Sequence, residues 1–295
     1  MRKIILILTV AVFFAPLAEA QVSDVLDGVY VKEHVPARKA VPYHHLREAD
    51  IMWSKKLWRM LDLREKINHP LYYPTKKMDD RYSLVDLLLY GVANEGLVVY
   101  DPGVDDEFTT PMTATQIDDN FGVRMDTTWV TDPVTGEQVQ KIVPIPRDIS
   151  QILRLMIKET WYFDKQRSML EVRIIGMCPI RMYERQATLN EFETQTTEGE
   201  TEEKDLDAKQ VFWVYFPAAR PLLANHEVFN PYSDAERRTF DDIFFKRRFS
   251  SYIYQETNVY DNRYIGEFKN GLDALLESGR IKDFIFKFEH DLWEY

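Results

Sequence analysis

Cysteine is almost absent from the sequence. Cys178 is the only one among 295 residues, so the chain cannot form an internal disulfide bond. It ends the apolar run Ile174–Cys178, where a buried side chain is the simplest role. Nothing adjacent in sequence would lower the pKa of its thiol, so the sequence predicts no reactive cysteine.

Recognisable reaction motifs are also lacking. The sequence has no Gly-x-Ser-x-Gly elbow, no His-Glu-x-x-His pair, no phosphate-binding loop and no Gly-x-Gly-x-x-Gly turn. Of six histidines only His44 and His45 are adjacent, and neighbours on a strand or helix point apart, which disfavours a zinc site. The sequence therefore predicts no catalytic residue, no metal and no cofactor.

Long hydrophobic runs are confined to the first 20 residues. Arg2 and Lys3 precede the apolar run Ile4–Phe14. Ala18–Ala20 then forms a small-x-small site before Gln21, which predicts a cleaved secretory signal. A membrane anchor is disfavoured because the run is shorter than the roughly 20 residues that a spanning helix needs. The residue directly after the predicted cleavage site is Gln21 and not cysteine, so the protein is not expected to be a lipoprotein.

Basic residues are fewer than acidic ones, which gives the chain a formal net charge of −11. This acidity argues against binding to nucleic acid or to anionic lipid. The acid-rich segment 101–122 lacks the spacing of a calcium-binding EF-hand loop, so a solvated loop is favoured there. The connector Asn190–Ala208 has eight acids and one lysine, and we predict a mobile acidic loop over 188–209.

Aromatic residues are abundant, with 6 tryptophans, 16 tyrosines and 17 phenylalanines. Such side chains dominate protein cores and the hot spots of interfaces. A surplus of aromatics without a reaction motif favours assembly over catalysis.

The stretch Trp53–Pro74 is predicted to be an amphipathic helix that ends at Pro70, followed by extended chain. Apolar residues recur in it at steps of three and four, which is typical of one helix face. They are Trp53, Leu57, Met60 or Leu61, and Ile67. Trp58 broadens this face.

Further helices and strands are predicted along the rest of the chain. The predicted helices are one from Ser83 to Gly91 capped by Asp86, one from Asp148 through Met156, and one that Ser233–Glu236 opens and that includes Phe249. The predicted strands are Leu97–Tyr100, a hairpin over Trp129–Val143, Trp161–Phe163, Met169–Tyr183 and Val211–Phe216, with an irregular passage over Pro217–Pro231.

These elements predict an α+β fold, with helices packed on short antiparallel sheets and a central β-meander. The organisation is a signal peptide over 1–20, an extended arm over 21–45 and one domain over 46–295. The spacing of leucines at an offset of 188 residues suggests that 50–100 and 238–288 are related helix–strand lobes. We keep this internal repeat as a hypothesis.

Four blocks of the sequence carry a family resemblance. They are WRMLDLREKINHPLYYP from Trp58, EVRIIGMCPIRMYE from Glu171, VFWVYFPAARPLLANHEVFN from Val211, and FDDIFFKRRFSSYIYQETNVYDNRYI from Phe240 with the final EHDLWEY. Together they resemble the GldN/PorN family, a periplasmic component of the type IX secretion and gliding motility machinery of Bacteroidetes.

This resemblance implies a non-enzymatic structural protein in the periplasm, peripherally associated with the outer membrane. It implies binding to an outer-membrane lipoprotein of the GldK/PorK type, formation of a ring with copies of itself, and contact with the periplasmic part of the motor protein GldM/PorM. The ring would support type IX protein secretion, and gliding in species that glide. No catalytic residue is carried over from the family.

A ring subunit needs two different surfaces for head-to-tail contacts, and a third for its lipoprotein. The candidates are the arm 21–45, the region of Trp53, Trp58 and Arg59, and the basic patch Lys246, Arg247 and Arg248. For the tryptophans a core role is favoured. The patch is equally compatible with a solvated face and with an acidic protein partner.

Two alternative functions remain open. One is a periplasmic module that binds a ligand or glycan, which exposed aromatics along a groove would support. The other, less favoured, is a secreted enzyme of unknown type, which a bound metal or a cleft with perturbed carboxylates would support.

Overall fold

The computed structural model describes residues 35, 37–78, 81–123, 125–131, 138–144, 146–184, 206–233 and 235–292. The predicted signal peptide over 1–20 and most of the arm lie outside this range. The helices are α1 His69–Tyr72, α2 Leu84–Asn94, α3 Ala114–Phe121, α4 Phe216–Asn225, α5 Phe240–Phe245 and α6 Leu272–Asp291. The predicted α+β class is confirmed.

One seven-stranded antiparallel sheet organises the chain. The strands are β1 Ile51–Asp62, β2 Val99–Tyr100, β3 Met125–Thr131, β4 Gln138–Pro144, β5 Ile152–Asp164, β6 Met169–Glu184, β7 Leu206–Gln210, β8 Trp213–Tyr215, β9 Glu227–Val228, β10 Arg238–Thr239 and β11 Tyr252–Glu256. The sheet has the order β11-β1-β5-β6-β8-β2, and β7 adds to the far part of β6. The pairs β3–β4 and β9–β10 are separate hairpins.

The predicted helix over Trp53–Pro74 is wrong, because Ile51–Asp62 is strand β1. The strand lies inside the sheet, with β5 on one side and the edge strand β11 on the other. Its second half is buried on both faces, so apolar residues fill consecutive positions and steps of three and four arise by chance. The stretch after it is not simply extended either, since Pro70 lies in the first turn of α1, where proline is tolerated.

The predicted helix from Asp148 through Met156 is also wrong. A short 3₁₀ turn is capped by Asp148, whose Oδ1 accepts a hydrogen bond from Ser150 N at 3.0 Å. Strand β5 follows between β1 and β6, and its run Leu155–Glu159 is buried on both faces. In both places the strand is buried on both faces, so its sequence does not alternate between apolar and polar residues and cannot be told from a buried helix by periodicity.

Two predictions in the C-terminal half need correction. Pro217–Pro231 is not wholly irregular, because Pro217 lies in the first turn of helix α4 and Pro221 lies inside it. Ser233 does not open a helix. Helix α5 begins later, at Phe240, where Thr239 and Asp242 form the capping box with bonds of 3.2 Å.

Several local predictions are confirmed. Ser83 caps α2, with its Oγ accepting from Asp86 N at 3.1 Å, and the hairpin β3–β4 forms as expected. Helix α2 ends later than predicted, since Gly96 and not Gly91 adopts the positive φ of 68° after it. Within the acid-rich segment 101–122, helix α3 forms behind a capping box of Thr113 and Gln116.

The structure can be compared with two further predictions, the acidic loop over 188–209 and the internal repeat. Leu206–Gln210 belongs to strand β7, so the C-terminal end of the predicted loop is part of the sheet. Residues 185–205 lie outside the described residues. At the offset of 188 residues, strand β1 corresponds to helix α5 and strand β2 to the interior of α6, so the two predicted lobes do not share an element order.

Helices cover one face of the sheet in two groups. Alternate residues of a strand share a face, so Leu57, Arg59 and Leu61 point to the same side of β1. Leu61 joins the larger core with α2, α4 and α5. Leu57 joins a smaller core with Ile281 and Ile285 of α6. The helical layer therefore has two apolar clusters, and Arg59 lies between them.

We expect opposite effects from alanine at two helical glycines. A Cβ at Gly91 would collide with the Leu222 side chain, so Gly91→Ala should destabilise the protein by about 1–3 kcal/mol. A Cβ at Gly279 meets nothing, so Gly279→Ala should stabilise it by up to about 1 kcal/mol. Urea unfolding of both variants measures this, and a stable Gly91→Ala protein would contradict the packing of α2 on α4.

Candidate partner interface

The two predicted interface tryptophans make contacts within the fold. Trp58 is 4% exposed, and its Nε1 donates to Asp106 Oδ2 at 2.7 Å. The Lys158 ammonium lies 5.5 Å from its ring centre. Trp53 packs on Phe288 of α6 with ring centres 4.7 Å apart. The first tryptophan therefore holds the loop before α3, and the second holds α6 on the sheet.

Arg59 belongs to a buried charge cluster around Glu159, whose side chain is fully buried. Its guanidinium lies 3.5 Å from Glu159 Oε1, and its Nε donates to Ser251 Oγ at 2.8 Å. Burial lowers the pKa of Arg59, and the neighbouring carboxylate opposes that shift. Trp161 Nε1 also donates to Glu159, at 2.8 Å.

Arg247 completes the same cluster. Its two terminal nitrogens donate to both oxygens of Glu159, at 2.8 and 3.3 Å. Its guanidinium also lies over the rings of Trp161 and Phe249. The residue adopts a φ of 51°, which is uncommon outside glycine, just after α5 ends. This turn directs the side chain inward.

The predicted basic patch is therefore divided. Lys246 is exposed and forms an ion pair with Asp242 at 3.4 Å, one turn back. Arg248 is exposed on a different side, where it lines the groove described below. The Arg247 side chain is only 27% exposed, so Lys246 and Arg248 are the two exposed cations of the three.

The described part of the arm lies on its own domain. Arg38 binds Asp242 at 2.7 Å. The guanidinium carbon of Arg220 lies 4.4 Å from the centre of the Tyr43 ring. His44 Nε2 is 3.2 Å from Glu171, and its carbonyl accepts from Arg173 at 2.8 Å. Residues 37–45 are thus tied down in the same molecule.

A large open groove lies between the α1 region and the loops around β9 and β10. We name it the apolar groove. Its volume is about 1220 Å³. Its exposed apolar side chains are Ile67, Tyr73, Met78, Phe229 and Tyr232. Its basic side chains are Lys66, His69, Arg81, Arg238 and Arg248, and the described lining residues include no carboxylate. Arg81 stacks on Phe229 at 5.1 Å.

A second apolar surface is the outer side of α6. Leu272, Leu275, Leu276 and Phe286 are between 59% and 69% exposed. Gly279 lies among them, and space beyond its Cα is open. We name these five residues the α6 stripe. Arg280, Asp283 and Lys287 are exposed on the same surface. Clusters of exposed apolar side chains are candidate interaction sites.

Neither surface was found by the sequence analysis. The predicted repeat aligns Leu272, Leu275 and Leu276 with Leu84, Leu87 and Leu88 at an offset of 188 residues. The latter three are fully buried, so this alignment predicted that the α6 leucines point inward. A signal was present, because Ile281 and Ile285 occupy the opposite side of α6 and already supply its buried face. Ile67 was expected to be buried and instead lines the apolar groove.

In the described part of the chain, no group of three or more His, Cys, Asp or Glu side chains is placed to hold a metal ion. Within the same residues, no helix has both the length and the apolar composition to cross a bilayer.

Comparison with known families decides the assignment. The family model described as "Gliding motility associated protein GldN" matches residues 46–294, which is most of the chain. The chain belongs to the GldN family. It is thereby a component of the gliding motility and type IX secretion machinery. No curated protein matches the sequence.

The region that the GldN family model matches contains the buried charge cluster. The matched region starts before β1 and runs beyond the described end of α6, so it includes Arg59, Glu159 and Arg247. It includes the apolar groove and the α6 stripe as well. GldN proteins are structural components of motility and secretion.

We predict that Arg247→Ala impairs folding and that Arg248→Ala does not. Removing Arg247 leaves Glu159 buried with one cation fewer, which should cost on the order of 1–3 kcal/mol of unfolding free energy. Arg248 is exposed, so its loss should change stability by less than about 0.5 kcal/mol. Urea unfolding compares the variants, and equal stabilities would refute the inward placement of Arg247.

Proposed function

We propose that this protein is a non-enzymatic structural subunit of a periplasmic ring under the outer membrane. In this proposal it binds an outer-membrane lipoprotein of the GldK/PorK type and contacts the periplasmic part of a GldM/PorM-type motor protein. The ring supports type IX secretion, and gliding where the organism glides. Membership of the GldN family supports this function, and the sequence pattern of residues 1–20 supports export.

The observation that carries the proposal is the presence of two unrelated apolar surfaces on one domain. The apolar groove and the α6 stripe are built from different elements and share no residue. A subunit within a ring uses different surfaces toward different neighbours, because head-to-tail contacts are heterologous. A monomeric enzyme has no need to expose both.

We assign the lipoprotein contact to the apolar groove. Its exposed apolar side chains provide a surface that loses unfavourable contact with water when covered. Lys66 and Arg248 add positive charge at its border. The matching partner segment would present apolar side chains flanked by carboxylates, and charge of this kind mainly sets specificity and association rate.

This assignment is tested by co-purification with the groove variants Met78→Glu and Tyr232→Glu. Both side chains are largely exposed, at 63% and 88%, so folding should survive. Each substitution puts a negative charge in the contact, and we expect the recovered lipoprotein to fall by about tenfold or more. The tagged protein is recovered from solubilised envelopes and imaged by negative stain.

The matched control is Val259→Glu, which places the same charge at an 89% exposed apolar residue outside the groove. It should co-purify with the lipoprotein as the wild type does. Undiminished recovery with both groove variants would exclude the groove as the lipoprotein surface. Absence of any envelope protein with the wild type would refute the structural role itself.

A ligand-binding module is the second candidate, and a specific observation favours it. Tyr73, Phe229 and Tyr232 are exposed aromatics that line one groove, an arrangement that suits stacking on sugar rings. Calorimetric titration with soluble glycans would show saturable binding in this case. The titration should lose its heat signal in Tyr232→Glu and keep it in Val259→Glu.

A further inference from the structure

The sequence contains one Asn-Gly pair, Asn270–Gly271, which lies directly before helix α6. Each of the other eight asparagines is followed by a residue that has a side chain. The side-chain amide of asparagine is thermally labile, and it is lost when the next backbone nitrogen attacks the amide carbon. A following glycine hinders this attack least, because it has no Cβ. The pair is therefore the most reactive asparagine that the sequence offers.

The structure leaves this pair open to solvent. Asn270 and Gly271 are both exposed. Gly271 adopts a φ of 56° and a ψ of −125°, and a Cβ built on it would meet nothing within 4 Å. Among the described residues, the Asn270 amide has no hydrogen-bond partner and the Gly271 N–H donates to no acceptor. The amide is thus free to turn toward the glycine nitrogen.

Several other asparagines are held by hydrogen bonds. The Asn258 amide donates to the carbonyls of Glu256 and Arg263, at 3.2 and 3.1 Å. Asn262 Oδ1 accepts from the Asn258 N–H at 3.0 Å. Asn68 is fully buried, and its amide donates to two backbone carbonyls at 2.8 and 3.0 Å. Turning any of these side chains toward the next nitrogen would break its bonds, so these amides are protected.

We propose that Asn270 is a site of spontaneous deamidation. The Gly271 nitrogen loses its proton and attacks Cγ of Asn270. A C–N bond forms, the bond from Cγ to the amide nitrogen breaks, and ammonia leaves, which gives a five-membered succinimide. Water then opens this ring at either carbonyl, so the product is aspartate or isoaspartate. Nothing is oxidised or reduced, and water is the only co-reactant.

The reaction changes the start of α6. Lys269 N donates to Ile265 O at 2.9 Å before the pair, and Leu275 N donates to Gly271 O at 3.4 Å after it. Isoaspartate inserts one methylene into the main chain between these two bonds, so the extra length must be taken up at Gly271. Aspartate leaves the main chain unchanged and adds a negative charge beside the N-terminus of α6, which the helix dipole favours.

Incubation of the purified full-length protein, followed by peptide mapping, detects this reaction. Trypsin releases residues 270–280 as one peptide and residues 249–263, which contain Asn258 and Asn262, as another. We expect the first peptide to gain one dalton with time and to separate into two products of equal mass. The second peptide should keep its mass. Because the attack needs the Gly271 nitrogen without its proton, conversion should be faster at higher pH.

A synthetic peptide of residues 265–280 gives the rate without the fold. The folded protein should convert at a comparable rate, since the pair is exposed and unbonded. A protein that stays unmodified under conditions that convert the peptide would overturn the proposal. Equal conversion of Asn258 or Asn262 would overturn it as well.

The matched control variant is Asn270→Gln. It keeps a side-chain amide but moves it one methylene away from the Gly271 nitrogen, so cyclisation would need a larger ring. The variant should fold, because position 270 is exposed, and its peptide should keep its mass. A one-dalton gain in this variant at the rate of the wild type would refute the assignment to Asn270. The reaction needs no partner protein, so either outcome leaves the proposed role in secretion untouched.

Discussion

The buried carboxylate of Glu159 is the interaction on which the helical side of the molecule depends. It lies between two apolar clusters, one under α2, α4 and α5, the other under α6. Arg59 reaches it from the neighbouring strand and Arg247 from the end of α5. A buried charge is tolerated only where it is paired and hydrogen-bonded, so both arginines must hold their positions. Arg247 meets this carboxylate from a backbone with a φ of 51°.

Several arginine side chains form ion pairs inside the protein, so they contribute little positive charge to its surface. Arg59 and Arg247 form ion pairs with Glu159. Arg220 forms a buried ion pair with Asp241 and also lies over the ring of Tyr43 in the arm. A basic patch that is continuous in sequence is thus dispersed in space. Among the described residues, the groove and the α6 stripe are where large apolar side chains remain exposed.

The sequence predicted features that depend on neighbouring residues, but it did not predict the strands that are buried on both faces. The cap at Ser83 and the hairpin β3–β4 involve residues close in sequence, so composition alone determines them. Strands β1 and β5 were taken for helices because a strand covered on both sides has no alternation to display. The internal contacts of Trp58 and Arg247 could not be read from neighbouring residues, since their partners lie 48 and 88 residues away in the chain.

The sequence by itself determined the family, the α+β class and the lack of a known reaction motif, because each is written in contiguous blocks or in composition. Only the tertiary structure decided which charged and aromatic side chains are internal. It also decided that α6 presents leucines outward, because one side of that helix is already filled by the sheet. Exposure is a property of what packs nearby, and that is set by residues distant in the chain.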